Sequence, residues 1–379
     1  MARDPHLGGA NSPIRGRGSS ENPHNRFSER YTEPVDDGWG SRSGSGLESF
    51  PGAQVIGRDL SVRSGPPTRL YPDKTVTLIT RNQSPDISFD RSINPYKGCE
   101  HGCIYCFARP THAYLDLSPG LDFETRIFYK TRVRERLLAE LGNRKYRCAT
   151  IAMGTNTDPY QPAEKRQRIT REVLQTLLEA RHPVSLVTKS QLVLRDVDLL
   201  AELASLELVS VAVSVTTLDN GLKTKLEPRT ASPAARLRVI RELRAANVPV
   251  SVMVAPVIPF INDNEIEDIV AAAADAGAMA AEYILLRLPL EVKDLFQGWL
   301  AQHYPLKAER VMSAIRSARG GKAYDAAWGK RMRGDGNIAE LIGARFRAAV
   351  KRNSLNLTPP RRLRTDLFRP PGVKQLSLL

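Results

Sequence analysis

The sequence predicts an α/β protein whose strands run parallel. One observation is a repeated alternation of short apolar runs with longer stretches at helical spacing. The other is the make-up of those runs: "CATIAMG" (148–154), "PVSLVTKS" (183–190), "ELVSVAVSVTT" (207–217), "VPVSVMVAPVIP" (248–259) and "AEYILLRLPL" (281–290) are dominated by Val, Ile and Leu. Strands buried on both faces read this way. Right-handed βαβ units follow, forming either an open parallel sheet or a barrel.

Each intervening stretch carries helix signals. "RVRERLLAELG", "ITREVLQTLLEA", "VDLLAELASL", "SPAARLRVIRELRAAN" and "NEIEDIVAAAADAG" place apolar residues on one face. Ser232 is the N-cap of the fourth, with Pro233 in the first helical position. Asn264 is the expected cap of the fifth. The core is expected over residues 75–304. Before it, residues 1–50 are rich in Gly, Ser, Arg and Asn and bury too little apolar surface to offset ordering entropy, so this segment is expected to be disordered. Residues 305–352 read as a basic helical extension, and 353–379 as a Pro-rich basic tail.

Composition narrows the class of protein. Hydrophobic residues make up 41% and charged ones 25%, which is ordinary for a soluble globular chain. No apolar run approaches the ~18 residues that span a bilayer, and the first residues lack the hydrophobic region of a secretory signal. These features predict a cytoplasmic protein without a membrane partner, whose thiols stay reduced. The net charge is +14, and residues 307–379 hold 17 Lys/Arg against 5 Asp/Glu. Such concentrated basic charge suits a phosphate-rich partner, DNA among them, and equally suits a solvated surface.

Three of the four cysteines fall within "NPYKGCEHGCIYCFARP" (94–110): Cys99, Cys103 and Cys106. Gly98 and Gly102 argue against a regular helix there and for a loop that wraps its ligand. Soft thiolates select iron–sulfur clusters, zinc or Cu(I). Structural zinc normally takes four protein ligands, whereas Cys148 lies far away and His101 points poorly for joint ligation. Spacing alone leaves a cluster and zinc both open.

The stretch resembles the radical SAM signature, C-x3-C-x-aromatic-C, with Tyr105 as the aromatic residue. "INPYKGCEHGCIYCFARPTHAYLDLSPGLDFE" and "GTNTDPYQPAEK" resemble, more narrowly, the branch related to spore photoproduct lyase, called DNA repair photolyase-like. The resemblance implies a partial (β/α)6 TIM-type barrel. It also implies that Cys99, Cys103 and Cys106 hold a 4Fe–4S cluster whose fourth iron is chelated by S-adenosylmethionine. Reductive cleavage then gives a 5′-deoxyadenosyl radical that abstracts hydrogen from the substrate, with the electron supplied by a donor such as flavodoxin or ferredoxin. Gly154, Thr155 and Asn156 in "MGTNTDP", Lys189 in "LVTKS" and Ser214 in "VAVSVTT" match cofactor-binding positions just beyond strand ends. Arg229, His112 and Tyr114 are weaker candidates for the site, and Asn262 and Asp263 fit a helix-capping turn equally well.

Two departures from that branch matter. Thr155 stands where spore photoproduct lyase has its hydrogen-donating cysteine, and Phe107 stands where it has a relay tyrosine. The resemblance therefore carries over the cofactor chemistry and leaves the reaction open. Nucleic acid is the first substrate class. A peptide or small metabolite is the enzymatic alternative, and a zinc-containing nucleic-acid-binding protein the non-enzymatic one. The last residues, "QLSLL", resemble the peptide by which bacterial DNA enzymes dock onto the sliding clamp, with Leu376, Leu378 and Leu379 as apolar anchors and Gln375 at the pocket rim.

Overall fold

A computed structural model describes residues 13–27, 54–55, 66–357 and 362–372. Six parallel strands form the centre: β1 (Arg91–Ile93), β2 (Ile151–Met153), β3 (Val184–Thr188), β4 (Val209–Ser214), β5 (Val250–Val257) and β6 (Ala280–Leu285). They pair strictly in chain order. A three-residue strand, Ile79–Arg81, pairs antiparallel with β1 at the outer edge. Sequential parallel pairing with helical crossovers agrees with the partial (β/α)6 barrel.

The crossovers are α1 (Val133–Leu141), α2 (Ile169–Glu179), α3 (Val197–Ser205), α4 (Pro233–Ala245) and α5 (Ile266–Asp275). Their apolar faces and the strands share one core, in which Val173, Leu200, Ile240 and Ile269 have no exposure. Ser232 caps α4 as expected, its side chain accepting from the Ala235 amide at 3.3 Å. Asn264 does not cap α5; it lies inside the 3-10 turn Asp263–Glu265, and Glu265 takes the N-cap position without a side-chain bond. β1 is the strand that the apolar-run pattern missed, because three residues are too few to show a period.

Past β6 come α6 (Val292–His303), α7 (Ala308–Ser317) and α8 (Asn337–Arg352). In "KAERVMSAIRSARGGKAYDAAWGKRM" the helix stops at Ser317, and Gly320 and Gly321 just beyond it take positive φ. α8 packs on α5 and β6, with the Tyr283 and Phe346 rings 4.7 Å apart. The basic extension is thus built onto the barrel.

Both flanking segments pack against the barrel where they are described. Residues 13–27 pack against the cysteine loop and bury Ser19 and Asn25; the rest of 1–50 lies outside the described residues. Backbone bonds from Arg364 to Glu207 and from Arg369 to Ala180 lay the proline-rich tail across the amino ends of the strands. Phe368 fills a niche beside Tyr146 and His182 there. Residues 373–379, including Gln375, Leu376, Leu378 and Leu379, lie outside the described residues. Among the described residues no helix is long and apolar enough to cross a membrane.

Candidate active site

The cysteine loop leaves the carboxyl end of β1 and turns over the barrel opening. Gly98 and Gly102 have φ of +81° and +68°, a region that L side chains avoid. At Gly98 a Cβ would also sit 2.8 Å from the His112 ring and 2.9 Å from the Phe123 carbonyl oxygen. The glycines therefore permit both the turn and its close seating.

Two neighbours fix the loop from opposite sides. Gln161, fully buried, donates to the Gly98 carbonyl at 3.1 Å and accepts from the Glu100 amide at 2.9 Å. On the other side the Arg109 guanidinium donates to the Cys103, Pro119 and Gly120 carbonyls at 2.9–3.0 Å and pairs with Glu124. The Glu124 carboxylate then accepts the Gly18 and Ser19 amides at 3.0 and 2.9 Å. Segment 13–27 is in this way stitched to the outer side of the cysteine loop.

Cys99 and Cys103 are buried and Cys106 half-buried, and none forms a disulfide. Burial pushes all three thiols up, and the neighbouring thiols add to the effect at Cys99 and Cys103. Alone they hold their protons; a cationic metal partner displaces them. The main chain of Asp158 beside Cys99, and of Ala108 and Arg109 beside Cys106, favours the thiolate and works against that burial. Among the described residues no group of three or more His, Cys, Asp or Glu converges to hold a single metal ion. His101 turns to Asp158, 3.3 Å away. Cys148 stands apart, half-buried near the floor of the barrel, with burial raising its thiol to about 11.

The strand ends bring most of the remaining candidates together. Gly154, at φ +84°, lies so close to β3 that a Cβ would be 2.0 Å from the Val187 carbonyl oxygen. The Asn156 amide donates to Asn94 at 3.1 Å, and Thr157 donates to the Tyr96 carbonyl at 2.9 Å, holding this turn beside the cysteine loop. Thr155 is half-buried in the same turn. Lys189 reaches from β3 to the Ser214 hydroxyl and donates to the Ala255 carbonyl at 3.1 Å.

Glu227, absent from the candidates read from sequence, organises this corner. Its buried carboxylate accepts hydrogen bonds from Tyr105 and from Thr216 (2.7 Å), pairs with Arg236, and lies 3.5 Å from Lys189. Burial alone would raise its pKa, but Arg236, Lys189 and the two hydroxyls outweigh that and hold it far below the usual carboxylate range. The aromatic position of the cysteine motif is thereby wired to the ends of β3 and β4. Only its place in "LEPR" hinted at this role, beside Arg229. Arg229 itself reaches the loop, 3.3 Å from Glu100. Asp158, Gln161 and Arg109 were equally hidden inside motifs noticed for other residues.

Other candidates fall away from the opening. His112 is fully buried beneath Gly98, its Nε2 3.0 Å from the Arg126 carbonyl. Tyr114 is exposed and packs on Phe27. Asn262 is a buried turn brace: its amide donates to the Thr216 and Pro256 carbonyls and its oxygen accepts from the Ile258 amide. Asp263 accepts from the Phe260 amide at 2.8 Å within the same turn.

Residues 93–273 match the model of the radical SAM superfamily. An uncharacterized protein of Mycobacterium tuberculosis is 38% identical over 288 residues, covering 75% of this chain and 82% of that protein. The chain belongs to the radical SAM superfamily. It is accordingly an enzyme, and the superfamily implies a 4Fe–4S cluster and S-adenosylmethionine. An uncharacterized protein of Methanocaldococcus jannaschii is 28% identical over 219 residues, covering 58% of this chain and 78% of its own. Among solved structures, spore photoproduct lyase complexed with dinucleoside spore photoproduct has the same fold, with TM-score 0.53 and 15% identity over 75% of this chain and 78% of that one. The C-x3-C-x-aromatic-C loop lies inside the matched region, and its three free thiols on one glycine-hinged turn fit the cluster that the superfamily implies.

Proposed function

We propose that this radical SAM enzyme holds a 4Fe–4S cluster through Cys99, Cys103 and Cys106 and acts on nucleic acid in a repair or modification reaction. The carrying observation is the single glycine-hinged loop that presents three thiols, Cys99 and Cys103 buried and Cys106 half-buried, at the open end of the barrel. When bound, cluster and S-adenosylmethionine supply one-electron cleavage of a sulfonium and so hydrogen-atom abstraction. The chain's own residues do the positioning. Gly154, Thr155 and Asn156 border the space beside the cysteine loop, and the Lys189 ammonium suits the cofactor carboxylate. Ser214 orients Lys189, and Tyr105 is held rigid by Glu227.

Nucleic acid is supported by the net +12 of residues 307–379 (17 − 5) and by the dinucleoside ligand of the structurally similar lyase. With Thr155 and Phe107 where that branch carries its donor cysteine and relay tyrosine, the substrate radical needs a different hydrogen source, and we propose a different lesion or modification. A flavodoxin- or ferredoxin-type donor is the proposed electron source, a cytoplasmic setting the proposed location, and residues 375–379 a proposed clamp-docking peptide. Anisotropy of that labelled peptide with purified clamp tests the docking; no binding at high micromolar clamp removes it.

The main experiment is anaerobic reduction of the protein with S-adenosylmethionine, with and without damaged DNA. We expect a brown protein with broad thiolate-to-iron absorbance that forms 5′-deoxyadenosine, with both properties lost in Cys99→Ala. A colourless, zinc-loaded protein overturns the assignment. DNA binding should weaken steeply with salt through counterion release.

A further inference from the structure

Two exposed aromatic residues, each with a guanidinium on one face, flank the rim of the barrel opening. Phe107 follows the third cysteine and is 42% exposed; the Arg287 guanidinium lies 4.3 Å from its ring centre. Trp328 is 57% exposed, and the Arg331 guanidinium lies 4.3 Å from its ring centre. The two stacks are joined. Arg287 leaves the carboxyl end of β6, and its Nη1 lies 3.1 Å from the Met332 sulfur, four residues past Trp328. The Met332 carbonyl accepts the Leu285 amide at 2.9 Å, which ties the loop bearing Trp328 to β6. Asp86 fixes the other side, accepting the Gly329 amide and pairing with Arg331, both at 2.6 Å.

The charges on the two stacks differ. Arg331 is neutralised by Asp86, whereas Arg287 has no carboxylate within ion-pair distance among the described residues, and its Nε is buried without a partner. Tyr324, Cys106 and Asp86 act on it only at longer range, so this partly buried cation retains capacity for a directly bound anion. Phe107 and Trp328 both keep a large part of their surface in solvent despite these stacks.

We infer that Phe107–Arg287 and Trp328–Arg331 form a binding platform for unpaired nucleic acid, with bases on the exposed ring surfaces and a phosphate on Arg287. The chemistry matches on both counts: aromatic faces take any base, and guanidinium pairs with phosphate in a fixed fork. The platform rests on the nucleic-acid reading above and adds where the strand lies and which form of it is bound. A duplex keeps its bases stacked and offers the rings nothing, so the preference is for single-stranded or flipped-out nucleotides.

The test uses the full chain, purified anaerobically, and an oligothymidylate of about ten nucleotides. Of the three tryptophans, Trp299 is buried and Trp39 lies outside the described residues, so the signal is assigned by difference: binding should quench Trp328, and Trp328→Phe should remove that quenching. We expect Trp328→Ala to weaken binding roughly tenfold, in the range of one lost base stack. Arg287→Gln should weaken it too and reduce the salt slope by about 0.7, one phosphate contact on a single strand. Leu306→Ala, at a fully exposed site elsewhere, is the control, and thermal melts verify that every variant is folded. Wild-type binding that neither Trp328→Ala nor Arg287→Gln alters overturns the platform and leaves nucleic acid as substrate standing. Quenching by S-adenosylmethionine alone, with none added by the oligonucleotide, also overturns it. Absence of oligonucleotide binding by the wild type at ~50 mM salt overturns the platform and the substrate reading together.

Discussion

Arg109 and Glu124 form an ion pair at 2.5 Å with neither side chain exposed to solvent. Their remaining polar atoms are taken up by carbonyls of the cysteine loop and by the amides of Gly18 and Ser19. Removing one charge strands the other. Glu124→Gln should therefore cost about 3–5 kcal/mol, read as a lower urea midpoint. A midpoint within error of wild type would mean that the carbonyls alone satisfy Arg109.

Glu227 offers a sharper separation of fold from chemistry. Glu227→Gln leaves Arg236 buried without its anion and should destabilise by a similar ~3–5 kcal/mol. Lys189→Met removes a group that is only partly buried and also paired elsewhere. It should keep the cluster absorbance while lowering 5′-deoxyadenosine formation at least about tenfold, equivalent to ~1.4 kcal/mol. Wild-type rates in Lys189→Met would remove this lysine from cofactor binding.

Gly154 and Gly298 make a paired test of backbone demand. Gly154→Ala places a methyl 2.0 Å from the Val187 carbonyl at positive φ and should cost more than about 2 kcal/mol. Gly298, inside α6, has no atom closer than 4.0 Å to a Cβ; Gly298→Ala should be neutral or stabilising by up to ~1 kcal/mol. Chemical unfolding of the two variants compares them directly.

His182 should make the fold acid-sensitive. Its Nδ1–H donates to the Pro183 carbonyl, and its Nε2 accepts from Tyr146 at 2.7 Å, so a second proton has to reverse the Tyr146 bond inside a buried site. Burial lowers its pKa from 6.5 to about 4. The unfolded chain therefore takes up a proton first. This contribution is complete above about pH 6.5 and is lost as pH falls towards 4, amounting to about 3 kcal/mol. His112, lowered to about 4 by burial, acts in the same sense. Unfolding free energies at pH 7 and 4.5 should differ less in His182→Asn than in wild type; equal pH dependence would contradict the assignment.

The barrel was readable from sequence because its strands are apolar runs and its helices amphipathic, with β1 too short to register. The three cysteines are marked by their spacing, and Lys189 and Ser214 only by the resemblance to the radical SAM branch. Glu227, Arg236, Arg109 and Glu124 carry no such mark, since a buried ion pair leaves no periodic trace in the chain. The packing of residues 13–27 is hidden for a related reason: it is held mainly by main-chain and side-chain hydrogen bonds, which a low apolar content does not reveal.

Residues 362–372 run across the barrel floor, on the face opposite Cys99, Cys103 and Cys106. This strap braces the barrel from behind and leaves the catalytic front clear.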